Sequence, residues 1–266
     1  MNRLHTGLAA LALAGSLAPM PASPLPSASA PGAGFMDRFP ALDSTAWSVA
    51  HYDFSHPAFD TDWRRGNLRA AATGLSLSLR PHSGGANRFS GASLRRHAPT
   101  GYGRYEVVMR TARGAGLVTG FFTYTGPAYG SRHDEIDIEI LGKSPDHLHA
   151  AWFVDGKLQS RRIPLGFDAS EGFNHYAFDW HPGFIAWQVN GREVLRINAR
   201  DGHALPEVPG RLFANIWAAD PSIADWAGHA APDTEARAVI RCIAFSPASP
   251  DGRAPRPSCS GPSPTS

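Results

Sequence analysis

Short segments in which apolar and polar side chains alternate recur along the chain, and this period of two predicts β-strands. The clearest segment is residues 75–79, where three leucines alternate with two serines. Residues 105–109 and 117–124 also have strand character. Glycine and proline punctuate these segments, and no long amphipathic helix is predicted. The pattern therefore predicts an all-β sandwich of two antiparallel sheets.

A β-hairpin is predicted around residue 190. The strand-like residues 185–189 are followed by Asn190 and Gly191, and residues 192–197 supply the return strand. Asn-Gly is favoured in two-residue hairpin turns because both residues tolerate positive φ. The sequence therefore predicts two neighbouring antiparallel strands joined by this turn.

The most unusual alternation is Glu135-Ile136-Asp137-Ile138-Glu139. On a strand the three carboxylates share one face, and the isoleucines share the other. The isoleucines suit a buried core. Neighbouring like charges repel and Asp is a poor strand former, so packing alone gives no reason for the acidic face.

Glycoside hydrolysis is a reaction that requires paired carboxylates, one as nucleophile or base and the other as acid. The Cα atoms of Glu135 and Glu139 would lie about 13 Å apart on a strand, at roughly 3.3 Å per residue. Long Glu side chains that lean together can approach the roughly 5–5.5 Å separation of a retaining enzyme. Asp137 would lie between them. The alternatives are a solvated acidic face or a site for a hard metal cation.

Composition narrows the function classes. The chain has 266 residues, 42% of them hydrophobic, which suffices for one large domain with a sizeable core. The formal net charge is +2, and no basic stripe with interleaved aromatic residues is present. We therefore expect no nucleic-acid partner. Nothing in the sequence indicates an obligate oligomer, and we expect a monomer.

The two ends differ in composition from the middle of the chain. Arg3 precedes an apolar run at residues 8–17, which is typical of a secretory signal and too short for a membrane span. Residues 1–30 are interpreted as a signal peptide with a Pro/Ala-rich lead-in, which predicts a secreted or periplasmic protein. Residues 247–266 are rich in Pro and Ser and are predicted to be a disordered tail.

Several long motifs, in order and compatibly spaced, together resemble glycoside hydrolase family 16 over residues 35–246. The most similar branch is that of the bacterial endo-β-1,3-1,4-glucanases (lichenases) and related exopolysaccharide depolymerases. The motifs are GYGRYEV at 101–107, FFTYTGP at 121–127, HDEIDIEILGK at 133–143, LGFDAS at 165–170, YAFDWHPG at 176–183 and NIW at 215–217.

The resemblance implies a catalytic domain over residues 35–246, folded as a β-jelly roll with a substrate cleft on its concave face. It implies a retaining double displacement in which Glu135 is the nucleophile, Asp137 the assisting carboxylate and Glu139 the general acid/base. No cofactor is required. The implied activity is hydrolysis of β-1,3-1,4-glucan or a related β-glucan or exopolysaccharide. A transglycosylase on the same site and a non-catalytic carbohydrate-binding jelly roll are the alternatives.

The resemblance also places substrate-contacting side chains on several strands. Aromatic rings suit the apolar faces of sugar rings, and polar groups suit the hydroxyls. Each aromatic residue has the alternative role of a core residue, which is how Trp180 and Trp187 are interpreted. The expected substrate-binding residues are Phe122, Tyr124, Arg95, His133, Phe153, Asn215 and Trp217.

This chain departs from the lichenase pattern near the expected site. Lichenases carry Trp where this chain has His133, and Glu where it has Ser93. They carry Asn and Tyr where it has Ala151 and Phe153. Strict mixed-linkage specificity is therefore not implied. Under strict alternation His133 shares the face of Glu135, so it either contacts substrate or tunes Glu135, or else it is a surface histidine at the start of the strand.

This chain also differs from the lichenases at the positions of their disulfide and their structural calcium site. The lichenase disulfide falls at Thr61 and Gly91 and is therefore absent. A carboxylate that helps to bind a structural calcium falls at about Arg241, which argues against that site. The two cysteines, Cys242 and Cys259, either pair with each other or remain unpaired in this chain.

Overall fold

The computed structural model describes residues 33–248 together with residues 258 and 259. The predicted signal and lead-in, residues 1–30, and most of the predicted tail lie outside the described residues. Among the described residues, no helix has both the length and the apolarity to cross a membrane.

Strands dominate the part of the chain that the structure describes. Their bounds are β1 Phe35–Asp37, β2 Trp47–Val49, β3 Thr61–Trp63, β4 Leu68–Ala71, β5 Gly74–Pro81, β6 Phe89–Arg96, β7 Gly103–Arg110, β8 Leu117–Thr125, β9 Asp134–Leu141, β10 His147–Val154, β11 Lys157–Pro164, β12 Asn174–His181, β13 Phe184–Val189, β14 Arg192–Asn198, β15 Arg211–Ala218 and β16 Ala236–Pro247. The helical elements are all short: 3-10 turns at Arg65–Asn67, Pro127–Tyr129, Ala199–Asp201 and Pro221–Ile223, and the α-helix α1 at Ala224–Ala227.

The strands form two antiparallel layers that fold over each other. One layer has the order β11-β10-β9-β8-β15-β6, and the other has the order β5-β16-β7-β12-β13-β14. Strands β5 and β6 pair with each other and join the layers at one edge. This is the predicted jelly-roll sandwich, and the predicted fold class is confirmed.

The main core lies between the layers. Alternation buries Phe121, Ile138 and Trp152 from one layer against residues such as Phe178 and Trp187 from the other. The Trp187 indole Nε1 donates a hydrogen bond of 2.9 Å to the backbone oxygen of Asp137. Trp180 is also buried in this core, so the predicted role of both tryptophans is confirmed. The indole bond ties the backbone of the acidic strand to the opposite layer.

The predicted hairpin joins β13 and β14. Asn190 and Gly191 adopt φ angles of 50° and 80°, as a two-residue turn of this kind requires. The two strands pair with a bulge between Trp187 and Gln188. The local sequence signal was therefore sufficient to predict this element.

Cys242 and Cys259 form a disulfide, which settles the alternatives that the sequence left open. The bond lies on the outer side of the second layer with Val108 and Ala244. Pro247, at the start of the predicted tail, is the last residue of β16, and Cys259 is buried. At least these points of the C-terminal segment therefore belong to the folded domain.

Thr61 and Gly91 are neighbours, as partners of a disulfide would be. Strand β3 pairs in parallel with β6, and a Cβ at Gly91 would lie 2.8 Å from Thr61 Cγ2. The Thr61 hydroxyl also bridges β3 to β15, since it donates to the Ala218 oxygen at 3.0 Å and accepts from the Ala218 nitrogen at 2.7 Å. Two hydrogen bonds thus tie the chain where relatives are expected to have a covalent bond.

Candidate active site

Strand β9 carries the three acidic side chains on the face turned away from the main core. Glu135, Asp137 and Glu139 are almost fully buried, with exposures of 2%, 2% and 4%. The intervening isoleucines belong to the main core. The alternation seen in the sequence is therefore realised, and the acidic face is not a solvated surface.

Burial and mutual repulsion raise the pKa of all three carboxyls. For Glu135 the opposing influence is a hydrogen bond from Asp137, which favours its ionised form and lowers its pKa. Burial is the main cause at Asp137, where the charge of Glu135 and the same hydrogen bond add to it. Burial followed by the charge of Asp137 raises the pKa of Glu139. The arrangement favours an ionised Glu135 beside protonated neighbours.

Cross-strand pairing decides which side chains surround the carboxylates. In register, Glu135 faces Tyr124 of β8 and Phe153 of β10. Asp137 faces Phe122, and Glu139 faces Gly120 on one side and a histidine, His149, on the other. Aromatic rings therefore flank the Glu135 end of the row, while a glycine and a histidine flank the Glu139 end.

Phe122 and Tyr124 form a small aromatic cluster on this face, separate from the main core. The Phe122 ring stacks on Phe213 of β15 with centroids 5.1 Å apart and planes within 3° of parallel. Tyr124 lies edge-on to Phe213 and to Tyr129. Rings gathered beside carboxylates are the arrangement that a sugar-binding surface needs.

A cavity of about 300 Å³ opens next to this cluster. Three of the expected substrate-binding residues line it, namely Phe122, Arg95 and Asn215. The Arg95 guanidinium donates to the Tyr129 hydroxyl at 3.1 Å and to Ser48 Oγ at 3.2 Å. The walls therefore combine apolar rings with hydrogen-bonding groups.

The opposite wall of the cavity comes from residues that the sequence analysis missed. They belong to the segment between β2 and the 3-10 turn after β3, and they are His51, Tyr52, Phe54, Phe59, Trp63 and Arg65. The segment lacks strand alternation, so periodicity gave no signal. Its density of aromatic residues and histidines between residues 51 and 63 was the available signal.

Unpartnered polar atoms concentrate on this face. Among the described residues, buried side-chain atoms without a hydrogen-bond partner include Asp137 Oδ2, Glu139 Oε2, Asn215 Oδ1, His149 Nε2 and Trp217 Nε1. Buried polar groups are normally paired, because an unmade bond costs about 1–3 kcal/mol. Such a cluster is the property expected of a surface that pairs with ligand hydroxyls.

Gly120 keeps the floor beside Glu139 open. A Cβ at this position would lie 2.6 Å from Asn215 Oδ1, a distance that real Cβ atoms do not adopt. The glycine therefore allows Asn215 to reach across β8 toward the acidic row. Any larger residue would displace that amide.

Trp217 lies on the same side of the layer but not in the cavity. It is fully buried in a second apolar cluster with Val118 and Leu141. Its ring stacks on Phe59 with centroids 4.0 Å apart, and Trp226 from α1 packs nearby. The structure thus places Trp217 as support for the cavity wall, with its indole nitrogen unpartnered.

His133 lies against Glu135, so the structure does not place it as an isolated surface histidine. Its Nε2 is 2.5 Å from Glu135 Oε2, and its side chain is mostly buried. The imidazole stacks on Phe153 with centroids 4.5 Å apart and an interplanar angle of 19°. His133 and Phe153 are therefore brought together beside Glu135, the predicted nucleophile.

No group of three or more His, Cys, Asp or Glu side chains suited to a metal occurs within the described ranges. At the position of the family's calcium-binding carboxylate, the Arg241 guanidinium lies 3.7 Å from the centre of the Phe173 ring. A guanidinium adds positive charge and offers no acceptor oxygen. The residues present do not fit a calcium ion at this position.

The molecule thus combines an antiparallel jelly roll with a buried carboxylate row beside an aromatic cavity, which defines a carbohydrate-active protein. The chain belongs to glycosyl hydrolases family 16, whose family model matches residues 55–236. It is a glycoside hydrolase of the lichenase-like kind.

Characterised relatives agree with this assignment. A beta-glucanase from Paenibacillus macerans is 38% identical over 198 residues, which cover 74% of this chain and 81% of that protein. A beta-glucanase from Bacillus subtilis is 36% identical over 187 residues, covering 70% and 75% respectively. The crystal structure of a lichenase from a mouse hindgut metagenome superposes with a TM-score of 0.77 at 34% identity, covering 81% of this chain and all of that one.

Proposed function

We propose that the protein is a retaining endo-β-glucanase that hydrolyses β-1,3-1,4-glucan or a related β-glucan or exopolysaccharide. The observation that carries the proposal is the buried row of Glu135, Asp137 and Glu139 beside an aromatic cavity with unpartnered polar atoms. The names of the relatives, beta-glucanase and lichenase, support the substrate class.

In the first step, Glu135 attacks the anomeric carbon of a glucosyl residue while Glu139 protonates the departing glycosidic oxygen. The ionised form of Glu135 is favoured over that of its neighbours by the Asp137 hydrogen bond, and the raised pKa of Glu139 keeps it protonated. The glycosidic C–O bond breaks, and an ester forms between the sugar and Glu135.

In the second step, Glu139, now ionised, takes a proton from water, and the resulting oxygen nucleophile displaces Glu135 from the anomeric carbon. Two inversions return the original anomeric configuration. Asp137 keeps its hydrogen bond to Glu135 and offsets the changing charge of the glutamates. No cofactor takes part in this scheme.

The substrate chain is proposed to bind along the outer face of the first layer. Phe122 and Tyr124 offer ring surfaces, while Arg95 and Asn215 offer polar groups for hydroxyls. Phe153 and His133 border the Glu135 end of the row, and Trp217 supports the cavity from beneath. The protein is proposed to act outside the cytoplasm as a monomer, in keeping with the secretory signal predicted at residues 1–30.

The test is reducing-end release from a polysaccharide panel by the purified mature protein. The panel contains barley β-glucan, laminarin, xyloglucan, carboxymethylcellulose, agarose and succinoglycan, with Glu135→Gln as the control. Activity on a β-glucan or exopolysaccharide that is lost in the control supports the proposal and names the polymer. Proton NMR of the first product distinguishes retention from inversion at the anomeric carbon.

The hydrolase proposal would be contradicted if the wild type released no reducing ends from any polymer of the panel but bound one of them. Transfer to added sugar acceptors would then indicate a transglycosylase. Binding without either reaction would indicate a carbohydrate-binding jelly roll.

A further inference from the structure

The imidazole of His133 lies in a defined position beside the proposed nucleophile. Its Nε2 atom is 2.5 Å from Glu135 Oε2, which is a hydrogen-bond distance. Two contacts fix the ring, since it stacks on Phe153 and meets the Tyr124 ring edge-on at 5.1 Å. The backbone of His133 is fixed separately, because its oxygen accepts from Gly156 N at 2.9 Å. A ring packed between two aromatic side chains on a fixed backbone has little freedom to turn its nitrogen away from Glu135.

The direction of the proton in this contact follows from the chemistry of the two groups. Burial lowers the pKa of His133, with a smaller opposing effect of Asp134, so the ring is neutral near pH 7. A neutral imidazole carries one N–H, and an ionised carboxylate only accepts hydrogen bonds. The contact with an ionised Glu135 therefore requires the Nε2–H tautomer. The Nδ1 atom then points toward the turn at Gly156.

We propose that His133 is a positioning residue that donates its Nε2–H to Glu135, orienting that carboxylate and favouring its ionised form. The inference rests on the proposed function, because it takes Glu135 to be the nucleophile. Asp137 approaches Glu135 from the same strand, so the two donors hold the carboxylate from two sides.

Among the residues that the structure describes, neither Lys nor Arg forms an ion pair or a hydrogen bond with Glu135, whose cationic-type neighbour is His133 alone. On its own strand Glu135 has Asp137 and Glu139, whose charges oppose its ionisation, while β8 presents Tyr124 and β10 presents Phe153. The guanidinium of Arg132, the residue before His133, is bound to Asp134 at 3.0 Å. Within the described part of the chain, His133 is thus the nitrogen donor to this carboxylate.

Two variants separate the hydrogen bond from the packing. His133→Phe keeps a flat ring against Phe153 and removes the donor, whereas His133→Gln returns an N–H at a position similar to Nε2. Hydrogen bonds to charged groups contribute about 1.5–3 kcal/mol, so we expect His133→Phe to lower kcat about ten- to a hundredfold with little change in KM. The acid limb of the pH profile of kcat/KM moves to higher pH, because Glu135 becomes harder to ionise. We expect His133→Gln to restore most of the lost kcat and to return the acid limb of the pH profile toward that of the wild type.

The chain offers a matched control. His181 stacks on Phe184 with the same 4.5 Å separation and a 20° angle, but on β12 in the opposite layer. His181→Phe should leave kcat, KM and the pH profile unchanged. Equal effects of the two His→Phe substitutions, or an unchanged acid limb in His133→Phe, would overturn the proposal while leaving the hydrolase function intact.

A measurement that does not need activity distinguishes this proposal from the proposed function. NMR of the protein labelled with ¹⁵N-histidine reports the tautomer of His133, assigned through the loss of its signals in His133→Phe. We expect the Nε2–H form at pH 7 and a shift of its Hε2 resonance in Glu135→Ala. The Nδ1–H form, or an Hε2 resonance unaffected by Glu135→Ala, would contradict the hydrogen bond. If these signals are as expected but no polymer is cleaved, the contact stands and the glucanase proposal fails.

Discussion

At the scale of single residues, two glutamates on the same strand suit different roles because their neighbouring side chains differ. Glu135 receives hydrogen bonds, whereas Glu139 Oε2 has no partner among the described residues and faces Gly120 in register. A donor stabilises the ionised carboxylate, while burial without donors favours the protonated acid. The two ends of one strand therefore suit the nucleophile and the acid, respectively.

The acid role of Glu139 can be tested by chemical rescue. We expect Glu139→Ala to lower the rate on polysaccharide by about 10²–10⁴-fold, the typical contribution of a general acid. A dinitrophenyl β-oligoglucoside needs no protonation of its leaving group, so on this substrate the glycosyl-enzyme still forms. Added azide should then restore turnover and yield a β-glycosyl azide, detected by NMR. An α-glycosyl azide would instead assign Glu139 as the nucleophile.

Periodicity predicted correctly which face of a strand each residue occupies, but it could not predict contacts between residues that are distant in the sequence. Alternation alone assigns Glu135 and Glu139 to one face, because a strand allows only two sides. It could not predict that Trp217 would be covered by Phe59, since that contact joins residues 158 positions apart through an irregular segment. The stack of His133 on Phe153 likewise depends on the register of β9 and β10.

At the scale of elements, β8 divides its side chains between stability and binding. Phe121 belongs to the main core, while its neighbour Phe122 belongs to the aromatic cluster beside the acidic row. Both rings are almost fully buried. Exposure alone therefore does not separate them, but the face of the strand does.

We expect Phe121→Ala to lower mainly the stability of the domain and Phe122→Ala to weaken mainly the binding of substrate. Truncating a core Phe costs about 3–5 kcal/mol, so Phe121→Ala should lower the midpoint of urea unfolding strongly. Phe122→Ala should raise KM at least severalfold with a smaller loss of stability, because its ring lies at the cavity wall. Urea titration and steady-state kinetics on the same two samples make the comparison. A reversed pattern would place Phe122 in the core role.

Strand β3 depends on the Thr61 hydroxyl, which both donates to and accepts from the backbone of Ala218. Thr61→Val keeps the shape of the side chain and removes the hydroxyl acceptor of the Ala218 N–H, while the Ala218 oxygen keeps its hydrogen bond from Asp60 N. We expect a loss of about 1–3 kcal/mol in the free energy of unfolding, measured by urea titration. Thr73→Val, at an exposed position, is the control and should change little. Equal midpoints for all three proteins would show that the bridge contributes no stability.

At the scale of the whole molecule, the packing of the two layers offsets the free-energy cost of burying three carboxyl groups in the acidic row. The antiparallel sandwich could be predicted from alternation and turn residues, because most of its strands are regular and its layers pack by their apolar faces. The jelly-roll topology was implied only by the resemblance to the family. The burial of three carboxyls could not be predicted, since it depends on the register that sets Tyr124, Phe122 and Phe153 beside the row. Burial is the first cause of the raised pKa of each carboxyl in the row.

The raised pKa values couple the stability of the whole domain to pH. A carboxyl whose pKa is higher in the folded than in the unfolded state binds more protons when folded, so stability falls as pH rises from the unfolded value toward the folded one. The unfolded values lie near 4.5 for Glu and 3.8 for Asp. The acidic row therefore costs the domain little at pH 4 and progressively more toward neutral pH.

Replacing Glu139 by Gln removes one ionisable group from this row without changing its shape. We expect Glu139→Gln to be inactive on polysaccharide and to melt above the wild type at pH 7, because the amide, unlike the carboxyl, does not have to take up a proton on folding. For a domain of this size each kcal/mol corresponds to about 2–4 °C in Tm. The difference should vanish near pH 4, where Glu139 is protonated in both the folded and the unfolded states. Calorimetry of both proteins from pH 4 to pH 8 measures it, and a gap in Tm that is independent of pH would refute the linkage between the buried acid and stability.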